Sequence, residues 1–148
     1  MGSLKTDGRR VETTAFGKRP RRSPLRRPLA AAAVVAAAAH LPVISPHLRE
    51  APYMGILFVL LTAACLLLAV AALTFDVPAV YLAAATGCGL TVVGYVATRL
   101  VSFPQLADDV DTWIEPLGVL AVLAEVSVVA LAAFALRGRR WGEAPRVA

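Results

Sequence analysis

The feature that most constrains this chain is the segment 53–74, which contains 22 residues and no charged side chain. At about 1.5 Å of rise per residue, a helix of this length crosses the roughly 30 Å hydrocarbon core of a bilayer. Three further apolar segments lie at 28–44, 77–98 and 113–136. The sequence therefore predicts an all-α membrane protein with four transmembrane helices.

Basic side chains are concentrated at the two ends of the chain. Residues 1–28 carry nine Lys or Arg against two acids, and residues 137–148 carry four against one. Residues 29–136 carry two basic side chains against seven acids. Because positively charged segments beside membrane helices are retained in the cytoplasm, we expect both termini on the cytoplasmic side.

This orientation defines the predicted topology. Two cytoplasmic termini require an even number of spans, and short connections require neighbouring helices to run in opposite directions. We therefore predict a four-helix antiparallel bundle in the bacterial cytoplasmic membrane. Its predicted parts are a disordered basic cytoplasmic tail at 1–27, a transmembrane domain at 28–136 and a second basic cytoplasmic tail at 137–148.

The composition argues against other classes of protein. Hydrophobic residues make up 58% of the chain and charged residues 17%, whereas a soluble domain has about 45–50% and about 25%. A soluble enzyme domain and a disordered chain do not fit these values. Although the pI is about 9.9, the basic residues adjoin apolar segments, which indicates a lipid bilayer rather than nucleic acid as the partner. A homo-oligomer or a larger membrane complex remains open.

The first apolar segment, 28–44, permits a second interpretation. An Arg-rich stretch followed by alanines up to residue 39 is also typical of a secretory signal with a cleavage site. The arginine pair at 21–22 resembles a twin-arginine signal. The apolar segment continues to residue 44, however, and this favours a membrane span over a signal that is cleaved after residue 39.

Glu125 is the polar residue that a bilayer tolerates least. It lies 12 residues after position 113 and 11 before position 136, and a carboxylate at this depth costs about 2.5–3.5 kcal/mol. Two roles remain open, a hydrogen bond between helices and a binding site for a proton or a cation. Its candidate partners are polar residues at similar depth on the second and third helices: Thr62, Cys65, Thr86, Cys88 and Thr91.

The remaining polar residues of the predicted bundle collect at its outer end. Arg99 can pair there with Glu50 or Glu115, and Glu115 also has the ordinary role of a residue that begins a helix. We predict a polar pocket that opens outward, with Glu125 at its deeper end. The predicted ligand-binding residues are His40, Glu50, Arg99, Glu115 and Glu125.

A metal ion is a second candidate occupant of this outer end. Imidazole and carboxylate ligands together suit a divalent ion such as zinc or copper. The candidate ligands are His40, His47 and Glu115. A haem is less compatible, because two histidines of one chain, separated by two prolines, do not supply ligands from opposing sides.

Four local patterns give further expectations. Asp76 is predicted to cap the third helix, and residues 112–115 match a capping box at the start of the fourth. Small residues between 83 and 91 have the spacing that permits close backbone contact, but in so alanine-rich a chain we expect ordinary bundle packing at the third helix. Cys65 and Cys88 do not form a paired motif, and we expect them to be buried as small apolar residues.

Several short patterns occur together in residues 28–136. They are His40-Leu41-Pro42, His47-Leu48-Arg49-Glu50, Gly55-Ile56-Leu57-Phe58, Thr98-Arg99, Pro104-Gln105, Glu115-Pro116-Leu117-Gly118 and Glu125. In these patterns the chain resembles small four-helix integral membrane proteins of actinobacterial type. In size and number of spans it is also similar to DoxX-like membrane proteins. The resemblance implies the fold and no activity.

The sequence favours a non-enzymatic protein, either an accessory subunit or a bundle that binds a small ligand or metal ion. A small oligomeric transporter with Glu125 as its proton or cation site is an alternative. A membrane redox protein that acts on quinone or haem is a third interpretation.

Overall fold

The computed structural model describes residues 22–142, and all regular secondary structure in this part is helical. The four long helices are α1 (Arg26–Glu50), α2 (Pro52–Thr74), α3 (Pro78–Leu100) and α4 (Pro116–Gly142). Each contains a segment long and apolar enough to cross a membrane. The prediction of an all-α chain with four candidate spans is therefore confirmed. The predicted basic tails lie largely outside the described residues.

The first helix is longer than predicted. It begins at Arg26 and continues to Glu50, six residues beyond the predicted end at position 44. Pro42 and Pro46 lie inside it. Proline ends most helices in water, but neighbouring helices in a membrane bundle can satisfy the freed backbone groups, so that the helix continues. The prediction of an end near Pro46 was wrong, because a proline within a helix bundle need not end the helix.

Asp76 does not cap α3. The residue at the cap position is Val77, which makes no capping hydrogen bond with its side chain. Asp76 instead accepts hydrogen bonds from the backbone N–H of Ser23 at 2.7 Å and from the hydroxyl of Tyr81 at 2.9 Å. The carboxylate therefore links the segment before α1 to the first turn of α3.

The alanine-rich α1 lies at the centre of the bundle. It packs along α2 and α4, while α3 packs mainly on α4. Leu29 and Ala33 of α1 have no exposed surface and belong to a core cluster with residues of the other three helices. The same cluster includes Cys88, and Cys65 is likewise free and buried, as expected.

The small residues of α3 do not bring backbones together. A methyl group built on Gly87 or Gly89 has its nearest neighbour at 4.0 Å, and in both cases this neighbour is a side-chain atom. The closest approach at a glycine occurs instead at Gly55 of α2, where the same methyl group would lie 2.6 Å from the backbone nitrogen of Leu48. Residues 87 and 89 of α3 therefore have ordinary bundle packing, as expected.

Candidate ligand-binding cavity

A cavity of about 660 Å³ lies between the later halves of α1 and α3 and the earlier halves of α2 and α4. Small-molecule sites in proteins usually measure about 300–1,000 Å³ and combine apolar walls with a few polar groups. This cavity has the same character. Its apolar walls include Leu57, Phe58, Leu61, Leu90, Phe103 and Val122. Its ionisable lining residues are His40, His47, Arg99, Asp109, Glu115 and Glu125.

The cavity is lined by both α2 and α3. These helices are consecutive in the chain, yet they make few contacts with each other. Gly94 of α3 lines the cavity, and a methyl group built on it would meet no atom within 4 Å. Leu57 and Leu90 also line it, and they are 52% and 66% exposed. Largely exposed residues of both α2 and α3 therefore border the cavity.

His40 and Glu125 form a buried pair at the inner end of the cavity. Nε2 of His40 lies 3.1 Å from Oε1 of Glu125, and the side chains are only 5% and 1% exposed. The ring of Phe58 lies over His40, with a centroid separation of 5.6 Å. Glu125 therefore pairs with α1, and not with the residues of α2 and α3 that the sequence suggested.

The extra length of α1 explains this pairing. His40 lies ten residues before the end of α1, and Glu125 lies nine residues after the start of α4. At about 1.5 Å per residue, both are about 14–15 Å from the ends of their helices. A helix ending at position 44 would place His40 too close to the surface to meet Glu125.

The pair can hold a proton in two ways. The hydrogen bond between Nε2 and Oε1 needs one proton, which either atom can carry. When Nε2 carries it, Nδ1 of His40 can bind a second proton without breaking this bond. Glu125 lines the cavity through which a ligand would reach the pair. The arrangement is thus able to exchange a proton or to accept a hydrogen bond from a ligand.

Arg99 organises the loop that covers the other end of the cavity. It is only 6% exposed. Its Nη1 donates to the carbonyl oxygen of Asp109 at 3.0 Å and to the hydroxyl of Thr112 at 2.9 Å, and it lies 3.3 Å from the Asp109 carboxylate. The guanidinium carbon lies 4.7 Å from the centre of the Tyr95 ring, a cation–π distance. This one side chain therefore joins the end of α3 to the loop.

The loop backbone turns back toward Arg99 at Asp111. Asp111 has a positive φ of 63°, and its N–H donates to the carbonyl oxygen of Arg99 at 3.1 Å. Left-handed backbone is unusual for a residue other than glycine, although Asp tolerates it better than most. This turn holds Asp109 over the cavity.

Glu115 caps α4. Its Oε2 accepts a hydrogen bond from the N–H of Gly118 at 3.1 Å, one turn into the helix. The helix begins at Pro116, so the predicted capping box that starts at Thr112 is displaced by three residues. The same oxygen lies 3.9 Å from Nη2 of Arg99. Glu115 thus has the structural role considered from the sequence and also borders the cavity.

Four of the five predicted ligand-binding residues line the cavity: His40, Arg99, Glu115 and Glu125. Glu50 does not. It is exposed at the end of α1 and is absent from the cavity lining. Sequence reasoning missed Asp109 as a lining residue. The sequence contained one indication of this role. Arg99 is the only Lys or Arg between positions 50 and 136, so that it is the only basic side chain there with which a loop carboxylate could pair.

The proposed metal ligands do not assemble. Among the side chains that the structure describes, no group of three His, Cys, Asp or Glu could hold a metal ion. Nδ1 of His47 lies 2.7 Å from the carbonyl oxygen of Val43, and its ring stands edge-on to Phe58. His40 pairs with Glu125, and Glu115 caps α4. Each of the three candidate ligands therefore has a different partner.

Comparison with known proteins adds no assignment. No protein family, curated protein or solved structure matches this chain. The resemblance to actinobacterial-type and DoxX-like membrane proteins stays a prediction from short sequence patterns.

Proposed function

We propose that this chain is a multi-pass protein of the bacterial cytoplasmic membrane that binds a small ligand within its helix bundle. The cavity of about 660 Å³ is the observation that carries this proposal. A well-formed apolar cavity with convergent polar groups is the default candidate for a binding site. Packed bundles contain few voids larger than a water molecule, so a cavity of this size needs a reason.

The proposed topology is an antiparallel bundle with both termini in the cytoplasm. The single-residue connection at Ala51 and the short connection between α2 and α3 support neighbouring helices of opposite direction. The basic residues before α1 support a cytoplasmic N-terminus. In this orientation the cavity lies in the outer half of the bilayer.

Filling the cavity tests the binding proposal. In the Gly94→Leu variant a side chain enters open space, and we expect the loss of a small molecule that remains bound to the wild-type chain. Native mass spectrometry of protein purified in mild detergent measures this bound mass. Gly138→Leu is the matched control, because Gly138 also has open space around it but lies outside the cavity. A wild-type chain without a bound molecule, or equal binding by both variants, would contradict the proposal.

A second candidate function is proton-coupled transport through an oligomer. The observation in its favour is that His40 and Glu125 both line the cavity and can exchange a proton while paired. We expect proteoliposomes with an imposed pH gradient to take up protons through the wild-type chain and not through Glu125→Gln. Glu50→Gln is the control, since that carboxylate is exposed and away from the cavity. Equal proton flux through wild type and Glu125→Gln removes this candidate.

A further inference from the structure

We propose that the ligand is a neutral, lipid-like molecule with a carbonyl oxygen, which enters from the bilayer between α2 and α3 and accepts hydrogen bonds from Arg99. This inference rests on the proposed function of the cavity as a binding site. Three independent features of the cavity support it: the unused donors of Arg99, the charge around them and the position of the opening.

Arg99 has hydrogen-bond donors that the protein does not use. All of its hydrogen bonds to described residues come from Nη1. Nε is buried and has no partner, and Nη2 has only the Glu115 carboxylate oxygen nearby, at 3.9 Å. That separation is too long for a hydrogen bond. Arg99 lines the cavity, and a buried donor without a partner is costly, so a ligand oxygen that accepts from the donors left unused by the described residues would stabilise this end of the site.

The charge around Arg99 favours a neutral acceptor. The carboxylates of Asp109 and Glu115 lie 3.3 Å and 3.9 Å from the guanidinium, so its positive charge is already balanced. Glu125 adds a further carboxyl group at the inner end. An anionic ligand would meet like charges in a region of low dielectric constant. A carbonyl oxygen can accept hydrogen bonds from Arg99 without adding negative charge.

The walls and the opening favour an apolar ligand body. We infer that the cavity opens between α2 and α3, because Leu57 of α2 and Leu90 of α3 both line it and are both largely exposed. Both helices are candidate membrane spans, so this surface faces lipid in the proposed bilayer. A ligand that enters here comes from the hydrocarbon region. Its apolar chain can remain between α2 and α3 while its carbonyl group reaches Arg99.

Three probes of similar chain length test the ligand class. We expect a decyl-substituted benzoquinone or 1,2-didecanoylglycerol to bind the detergent-purified chain, and decanoate to bind about tenfold more weakly or not at all. Binding of the quinone alone or the glyceride alone supports the inference and identifies the source of the carbonyl group. Decanoate that binds as well as the neutral probes overturns it. If the purified chain retains its own small molecule but binds neither neutral probe, this inference fails while the proposed function stands.

The Arg99→Lys variant tests the acceptor site. Lysine keeps the positive charge beside Asp109 but lacks the planar arrangement of donors. We expect the affinity for the neutral probe to fall about tenfold, because a hydrogen bond to a charged group is lost. Unchanged affinity in a folded Arg99→Lys protein overturns the assignment of Arg99.

The path from the bilayer has its own test, which does not depend on Arg99. Leu90→Trp places a large ring at the opening, and we expect the association rate of the neutral probe to fall at least about tenfold. Leu67→Trp is the matched control, because Leu67 is also an exposed leucine, at 70%, but lies outside the cavity. Equal association rates for the two tryptophan variants overturn entry between α2 and α3.

Discussion

Replacing Glu125 with leucine is expected to lower the free energy of unfolding by about 3–5 kcal/mol, because His40 then loses its buried partner. The two side chains are 3.1 Å apart and almost completely enclosed. His40→Leu is expected to have a cost of the same order for the converse reason. The measurement is the unfolding midpoint in mixed detergent micelles, followed by the loss of helical circular dichroism.

The double variant His40→Leu with Glu125→Leu distinguishes a specific pair from general damage to the core. When both partners are replaced by apolar side chains, no buried polar group is left alone, and the cost falls to near zero. The double variant should therefore be more stable than either single variant. Strictly additive losses would mean that the two side chains do not interact across α1 and α4.

Glu125→Gln provides a graded control. An amide oxygen still accepts a hydrogen bond from Nε2 of His40, so that we expect a loss of only about 1 kcal/mol. The variant also separates stability from function. If Glu125→Gln folds almost normally but no longer conducts protons in proteoliposomes, the pair acts in transport through its exchangeable proton and not through its contribution to stability.

The four helices were predictable because the need for apolar side chains in the hydrocarbon core dominates the sequence of a membrane span. Each span needs about 20 apolar residues, and few charges are tolerated. The same reasoning identified Glu125 as exceptional. It also placed Arg99 and Glu115 at one end of the bundle, because both lie at the ends of apolar segments.

The partner of Glu125 was not predictable with the rules for soluble helices. Pro42 and Pro46 suggested an early end to the first helix, which moved His40 toward the surface. In the structure neither proline ends the helix, and His40 lies at the depth of Glu125. Because the end of the first helix was predicted wrongly, the partner of Glu125 was also predicted wrongly.

The loop between α3 and α4 was unpredictable for a different reason. Gln105 and Asp111 both adopt positive φ, and no periodic pattern marks such positions. These turns bring Asp109 back to Arg99. Hydropathy distinguishes this loop from the helices, but it does not show which of its carboxylates turns inward.

Gly55→Ala is expected to destabilise the chain by about 3 kcal/mol, although it adds only one methyl group. The connection between α1 and α2 is the single residue Ala51, so that the first turn of α2 packs directly on the last turns of α1. The new methyl carbon would lie 2.6 Å from the nitrogen and 2.8 Å from the Cα of Leu48. These are backbone atoms, and they cannot move aside as the end of a side chain can.

The matched control is Gly87→Ala, which makes the same change within another membrane helix. The added methyl group lies 4.0 Å from the end of the Leu68 side chain, an ordinary contact. We expect no loss there, or a gain of up to about 1 kcal/mol from the better helix propensity of alanine. Since Met54 and Phe58 of α2 line the cavity, Gly55→Ala should also weaken binding of the neutral probe, whereas Gly87→Ala should not. Equal stability of the two variants would mean that α1 and α2 are further apart at Gly55 than the structure places them.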